Sequence, residues 1–344
     1  MNCIDDVIKI YTDTRNLYSA TIELTYTCNW KCRYCYLASH NEPGLETDVI
    51  KRLLLQLREI GCFDLAFTGG EIFTRSDIFQ LIEYARGLGF AVTLLTNLSL
   101  LTTSDLDRLK DMHIEGIDCS IFSLNPLVHD DFAGCSGSFS KVYYNLFYCQ
   151  KINLPIRAGF FALTINNDEL PFFTEFIEQY NLTGRYDCRV FPKMNCDLTP
   201  VKYGLSGETL SRTLAITDKI MGVEYTEKNN QYLCQRSHIS IVITPTGDVR
   251  TCSLLVDPIG NILQAPISSI VSSTNPLLVA IQELTWSDLT SECGACDKRK
   301  YCIYCPAIAL LEKRKWLGKS PSNCNFAEAR RRLEEKNYNE KTHN

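Results

Sequence analysis

The chain has 344 residues, 45% apolar and 22% charged, with a formal net charge of −5, a composition that excludes a disordered or low-complexity protein. The acidic balance argues against nucleic acid as a partner, which needs clustered Lys and Arg, and the basic runs of the tail ("EKRKWLGK", "ARRRLEEK") read as solvated helix faces. No stretch reaches the ~20 apolar residues of a membrane span, and the N-terminus lacks the basic start and apolar centre of a signal peptide, so a cytoplasmic protein with no membrane partner is expected.

From residue 20 onward, short β-like runs alternate with amphipathic helical ones. "ATIELTY" precedes the helix "TDVIKRLLLQLREIG", "FDLAFTGG" precedes "DIFQLIEYARGLG", and "FAVTLLTN" precedes "TSDLDRLKDM". "GIDCSIF" then leads to "SFSKVYYNLFYCQK", "IRAGFFALT" to "DELPFFTEFIEQY", and "RYDCRVF" to "SGETLSRTLAITDKIM". Such strand-then-helix units predict an α/β fold with a parallel sheet and a site at the strand C-terminal ends. Six units fall short of a closed eight-unit barrel, so an open, partial (β/α)6 barrel is expected over residues 1–222. Near residue 225 the rhythm breaks, and "HISIVITPTGDVRTCSLL" reads as a β-hairpin around Thr-Gly-Asp. Residues 223–344 therefore form a second domain of hairpin, cysteine-rich loops and helices.

Cysteine is the compositional outlier. Seventeen thiols in a chain too large to need disulfides, without export signals, are expected to stay reduced or bind metal. Cys28, Cys32 and Cys35, spaced C-x3-C-x2-C, follow the first strand, on the functional rim of such a barrel. Three thiolates this close can grip a [4Fe–4S] cube and leave one iron open to a small molecule. Zinc favours paired C-x2-C units and a closed tetrahedron.

On these residues the sequence resembles the radical SAM superfamily. The resemblance implies that Cys28, Cys32 and Cys35 hold a [4Fe–4S] cluster whose open iron is chelated by S-adenosylmethionine, with the aromatic Tyr34 near the adenine. "FTGGE", carrying Gly69, Gly70 and Glu71, matches the segment that receives the methionine amino group through its backbone and carboxylate. Asn97 and Ser120, ending the third and fourth strands, stand where the family often has polar residues facing the cofactor's ribose and carboxylate.

The C-terminal cysteines, Cys234 and Cys252 about a hairpin, then Cys293, Cys296, Cys302, Cys305 and Cys324, resemble the SPASM domain and its two auxiliary [4Fe–4S] clusters. The C-x2-C pairs alone would also suit a zinc ribbon. By resemblance, Cys293, Cys296, Cys302 and Cys324 close one cluster, whereas Cys234, Cys252 and Cys305 hold the other. The fourth ligand of that other cluster is open between Cys188, Cys196, water and substrate. The remaining thiols, Cys3, Cys62, Cys119, Cys135 and Cys149 among them, read mainly as small apolar residues, with Cys119 or Cys188 a candidate hydrogen-atom donor.

The resemblance implies reductive cleavage of S-adenosylmethionine to a 5′-deoxyadenosyl radical, an electron donor of the flavodoxin or ferredoxin kind, and a ribosomally made precursor peptide as substrate. A thioether or carbon–carbon crosslink is the leading expectation. Epimerisation, formylglycine formation and small-molecule chemistry are the alternatives, and a zinc-binding interaction protein is the alternative of another class. "SIFSLNPLVHDDFAGCSGSFSKV" resembles peptide maturases, with His129 and Asp130 expected to orient a loop. Only about 20 residues precede the first strand, too few for a folded leader-binding domain, so a leader is expected to dock on the barrel, on the C-terminal surface or through a separate protein.

Overall fold

The computed structural model describes residues 3–14, 16–227, 231–289 and 291–342. Strands β1 (Ser19–Thr25), β2 (Asp64–Gly69), β3 (Ala91–Leu95), β4 (Gly116–Ile121), β5 (Ile156–Phe161) and β6 (Thr183–Asp187) lie side by side in chain order, all parallel. Each is followed by at least one helix, which gives the six units of an open barrel.

Alternation along the strands sorts their residues onto two faces. Ile22, Phe67, Leu94 and Ile117 form one cross-strand row, buried against the helices; on the same face Phe160 stacks on Phe173 of the helix Leu170–Gln179 with ring centroids 4.7 Å apart. The opposite, inner face is polar and carries Glu23, Thr68, Thr93, Asp118, Ser120 and Arg185. Cys119 belongs to the helix-covered face, with Cys149 as its neighbour. A hydrogen-atom donor on the inner face is therefore not its role.

The sequence pattern did not foresee how the hairpin sits. β7 (Ser240–Ile243) does not stand in a separate module but pairs parallel with β1, from Ser19 opposite Ser240 to Ile22 opposite Ile243. β8 (Asp248–Arg250) and β9 (Gly260–Asn261) continue antiparallel, so one nine-stranded sheet crosses the expected boundary at residue 222. Two helices were also unforeseen, Cys3–Thr14 and Pro126–Ala133. The second is typical in its signals, with Asn125 accepting from Leu127 N–H at its start, Pro at its first turn and left-handed Gly134 at its end.

The long C-terminal helix Pro321–Thr342 lies on the helix Gly207–Ile220. Between them Arg330 makes a two-pronged pair with Asp218, at 2.7 and 2.9 Å. Both side chains are almost fully buried, and Tyr225 donates a third bond to the same carboxylate. No helix among the described residues is long and apolar enough to cross a membrane.

Candidate active site

The first cysteine loop leaves β1 at Thr25 and is held on three sides. Lys31 and Arg33 donate their N–H groups to the carbonyls of Ala133 and Phe132, at the end of the helix Pro126–Ala133. Asn29 bonds Asn97 at 2.8 Å and Ser99 at 3.0 Å beyond β3. Met194 N–H bonds Tyr36 O from the loop after β6, and Cys196 lies on that same loop. Within the loop Trp30 N–H reaches Cys28 Sγ at 3.4 Å, and Cys35 N–H bonds Cys32 O. The thiols act on one another electrostatically, and burial pushes all three up, Cys28 to about 11. As free thiols they hold their protons, so metal binding must release them.

Gly69 and Gly70 have a steric reason to be glycines. A Cβ on Gly69 would meet Thr25 O at 2.1 Å, and one on Gly70 would meet Thr27 O at 2.4 Å. With no side chain, Gly70 N–H bonds Thr25 O and Glu71 N–H bonds Thr27 O, which locks the end of β2 against the start of the cysteine loop.

Glu71 follows the end of β2. Its side chain is fully buried, and its oxygens accept from Thr96 Oγ1 at 2.7 Å, Asn97 N–H at 2.7 Å and Phe73 N–H at 3.1 Å. The carboxylate thus braces the end of β3 and positions Asn97. Burial pushes its carboxyl up, and the three donors pull it back.

Tyr34 stacks on Phe132, meets Phe122 and Phe161, and hydrogen-bonds Ser120. The expected adenine and carboxylate residues are therefore neighbours in one wall. His129 and Asp130 do orient a loop: Asp130 accepts from Gly137 N–H, Ser138 Oγ and Phe139 N–H, capping the helix Ser138–Lys151. His129 is buried among Trp30, Phe122 and Phe139.

The sequence reading missed Glu23. This fully buried carboxylate on the inner face of β1 accepts from Tyr26 Oη at 2.7 Å and Tyr36 Oη at 2.9 Å, which flank the cysteine triplet. It also bonds Ser253 and feels Arg250, both beside Cys252. A Glu in the middle of an apolar strand was the available signal, since burying a charge without partners is costly. Through Glu23 the first cysteine loop and the C-terminal hairpin share one polar node.

The C-terminal thiols fall into two groups. Cys252, Cys305 and Cys234 act on one another, and so do Cys293, Cys296, Cys302 and Cys324. The main charges acting on Cys188 are Asp187, Arg189, Asp218 and Arg330 rather than any thiol of the first group. The Cys3 side chain lies outside the described ones. Among the described residues no three His, Cys, Asp or Glu side chains gather around the point a single ion would occupy. Thiolates are the donors by which iron–sulfur clusters are held.

Residues 22–177 match the family model described as "Radical SAM superfamily". That stretch, from β1 through the helix after β5, is similar to the domain of that superfamily, whose members are enzymes that use S-adenosylmethionine and an iron–sulfur cluster. Among curated relatives, it is 28% identical over 172 residues to the AdoMet-dependent heme synthase of Oleidesulfovibrio alaskensis, covering 49% of this chain and 44% of that one. The enzyme of the same name from Methanosarcina barkeri is 24% identical over 330 residues, 87% of this chain and 94% of its own. The antilisterial bacteriocin subtilosin biosynthesis protein AlbA of Bacillus subtilis is 27% identical over 303 residues, covering 83% and 66%. Among solved structures, Streptococcus suis SuiB bound to S-adenosylmethionine superposes with a TM-score of 0.72 at 17% identity, over 93% of this chain and 80% of that one, a likeness of fold.

Proposed function

We propose that this enzyme modifies a ribosomally made peptide in the cytoplasm, forming a thioether or carbon–carbon crosslink. Cys28, Cys32 and Cys35 hold the cluster that binds S-adenosylmethionine. Cys293, Cys296, Cys302 and Cys324 hold one auxiliary [4Fe–4S] cluster, and Cys234, Cys252 and Cys305 hold a second, with one position left for another ligand. The observation that carries this reading is the separation of ten cysteines into one triplet at the strand ends and two groups in the C-terminal part. When bound, the cofactors supply a carbon-centred radical that removes hydrogen from an unactivated position.

The chain's own residues orient and exclude. Gly69 and Gly70 let β2 close on the cysteine loop, Glu71 fixes Asn97, and Asn29 ties that loop to β3. Tyr34, Phe122, Phe132 and Phe161 form an apolar wall that keeps water from the strand ends. An electron donor of the flavodoxin or ferredoxin kind and a separate leader-binding protein complete the reading.

A second reading, a small-molecule enzyme, is favoured by the heme synthase likeness over 87% of the chain. Incubation with S-adenosylmethionine, reductant and candidate precursor peptide separates the two by mass. Loss of two hydrogens from the peptide supports crosslinking; an unchanged peptide together with heme formation from a heme precursor supports the second reading. Colourless protein carrying zinc after anaerobic purification would refute both.

A further inference from the structure

The two basic runs of the tail, alike in the sequence, differ in the fold. In "ARRRLEEK" the charges are matched: Arg330 pairs with Asp218, Arg331 with Glu328 and Glu335, and Arg332 with Glu328. In "EKRKWLGK" the helix Pro306–Lys313 stops at left-handed Arg314, and residues 314–320 form a loop rather than a helix face. Lys313, Arg314 and Lys315 are exposed there, and among the described residues their side chains make no ion pair and no hydrogen bond.

The carboxylates in contact with this loop are occupied. Glu312 accepts from the hydroxyls of Ser320 and Ser322, Asp257 accepts from Trp316 Nε1 at 3.1 Å, and Glu292 reaches Lys319 at 3.7 Å. Residues 313–319 thus carry four basic side chains and no acidic one, in a chain whose net charge is −5. The loop is also fixed in place. Tyr304 Oη lies 3.0 Å from Trp316 O and 2.9 Å from Gly318 O, and Leu317 packs on the same small apolar cluster as Cys293 and Cys302. Lys319 acts on Cys293 and Cys324, so the positive charge stands beside the group Cys293, Cys296, Cys302 and Cys324. Around the first cysteine loop the balance is the reverse: Arg33 pairs with Asp131 and Lys193 with Asp197, which leaves Lys31 as a single cation among the described residues. A fixed local excess of charge on an otherwise acidic protein steers an acidic partner and sets where it lands.

We propose that the loop 313–319 is the landing surface for a small acidic electron-carrier protein of the flavodoxin or ferredoxin kind, held by Lys313, Arg314 and Lys315. It rests on the radical SAM reading with its auxiliary clusters. One electron leaves the carrier, which is oxidised by one unit, and reduces the cluster held by Cys293, Cys296, Cys302 and Cys324 by one; no bond or proton is exchanged. A substrate peptide suits the loop less, because its reacting residue must reach the strand ends beside Cys28, Cys32 and Cys35.

The double variant Lys313→Glu/Lys315→Glu tests this, since neither side chain holds a partner among the described residues whose loss would disturb the fold. Calorimetric titration of the cluster-loaded protein with an acidic flavodoxin should show binding weaker by about tenfold or more at ~10 mM salt, with variant and wild type converging near ~0.5 M, where charges are screened within a few ångströms. Stopped-flow reduction of the clusters by the flavodoxin hydroquinone should slow in proportion, whereas 5′-deoxyadenosine formed with excess dithionite stays at the wild-type level. Lys31→Glu should leave flavodoxin binding within about twofold of wild type. Equal flavodoxin affinity in the double variant and wild type overturns the proposal, as does a loss confined to Lys31→Glu, which would put the carrier on the first cysteine loop. Weaker binding of the precursor peptide with flavodoxin binding intact would give the loop to the substrate and overturns it too, as does a wild type that binds neither flavodoxin nor ferredoxin. Wild type that forms no 5′-deoxyadenosine with dithionite would instead refute the radical SAM reading.

Discussion

Replacing Asp218 by Asn tests what holds the C-terminal helix in place. Arg330 is 2% exposed and Asp218 6%, so the substitution leaves a guanidinium buried beside a neutral amide. Breaking a buried pair from one side costs about 3 to 5 kcal/mol, a large share of the roughly 5 to 15 kcal/mol that separates folded from unfolded protein. With a urea dependence of ~3 kcal/mol per molar, the unfolding midpoint falls by about 1 to 1.7 M. The helix carries Cys324, and Arg330 acts on Cys302, so loss of iron from that group should accompany the shift. The double variant Asp218→Leu/Arg330→Met removes both charges and should recover most of the stability, because desolvation offsets much of the attraction in such pairs. A shift in Asp218→Asn below about 1 kcal/mol, or a double variant as unstable as the sum of the singles, would refute the reasoning.

Three further outcomes are expected. Burial holds His129 down at about 4, so its neutral form favours the folded state. That contribution is complete above the ordinary value of about 6.5 and is lost as pH falls toward 4, by about 3 kcal/mol at most; His129→Phe should flatten the change in urea midpoint between pH 7 and 5 relative to wild type. Gly70→Ala places a methyl 2.4 Å from Thr27 O, so S-adenosylmethionine binding by equilibrium dialysis should weaken while circular dichroism stays near wild type. Cys28→Ala should abolish 5′-deoxyadenosine formation, whereas Cys296→Ala should retain some uncoupled cleavage, both read by chromatography of the quenched reaction.

The barrel was legible in the sequence because β1 to β5 are short runs rich in apolar residues, each followed by a helix of clear periodicity, whereas β6, Thr183–Asp187, is a polar run. The cysteine spacings were legible too, since ligands contributed by one loop sit near one another along the chain. What hid from the sequence is long-range. The apolar run of β7 looked like half of an ordinary hairpin, and nothing local says that its other edge pairs with β1, more than 200 residues earlier. The motif marks Glu71, but its partners Thr96 and Asn97 lie on another strand end, which only the fold brings within reach.

The pairing of β7 with β1 bears on how this protein can be cut and recombined. A fragment ending at residue 222 would strip Ser19 to Ile22 of their neighbour and bare a row of backbone donors and acceptors, an invitation to fibrils and inclusion bodies. Chimeras that trade C-terminal halves between relatives should therefore move the splice point past residue 261, so that the donor brings no strand and the host keeps its own selvedge.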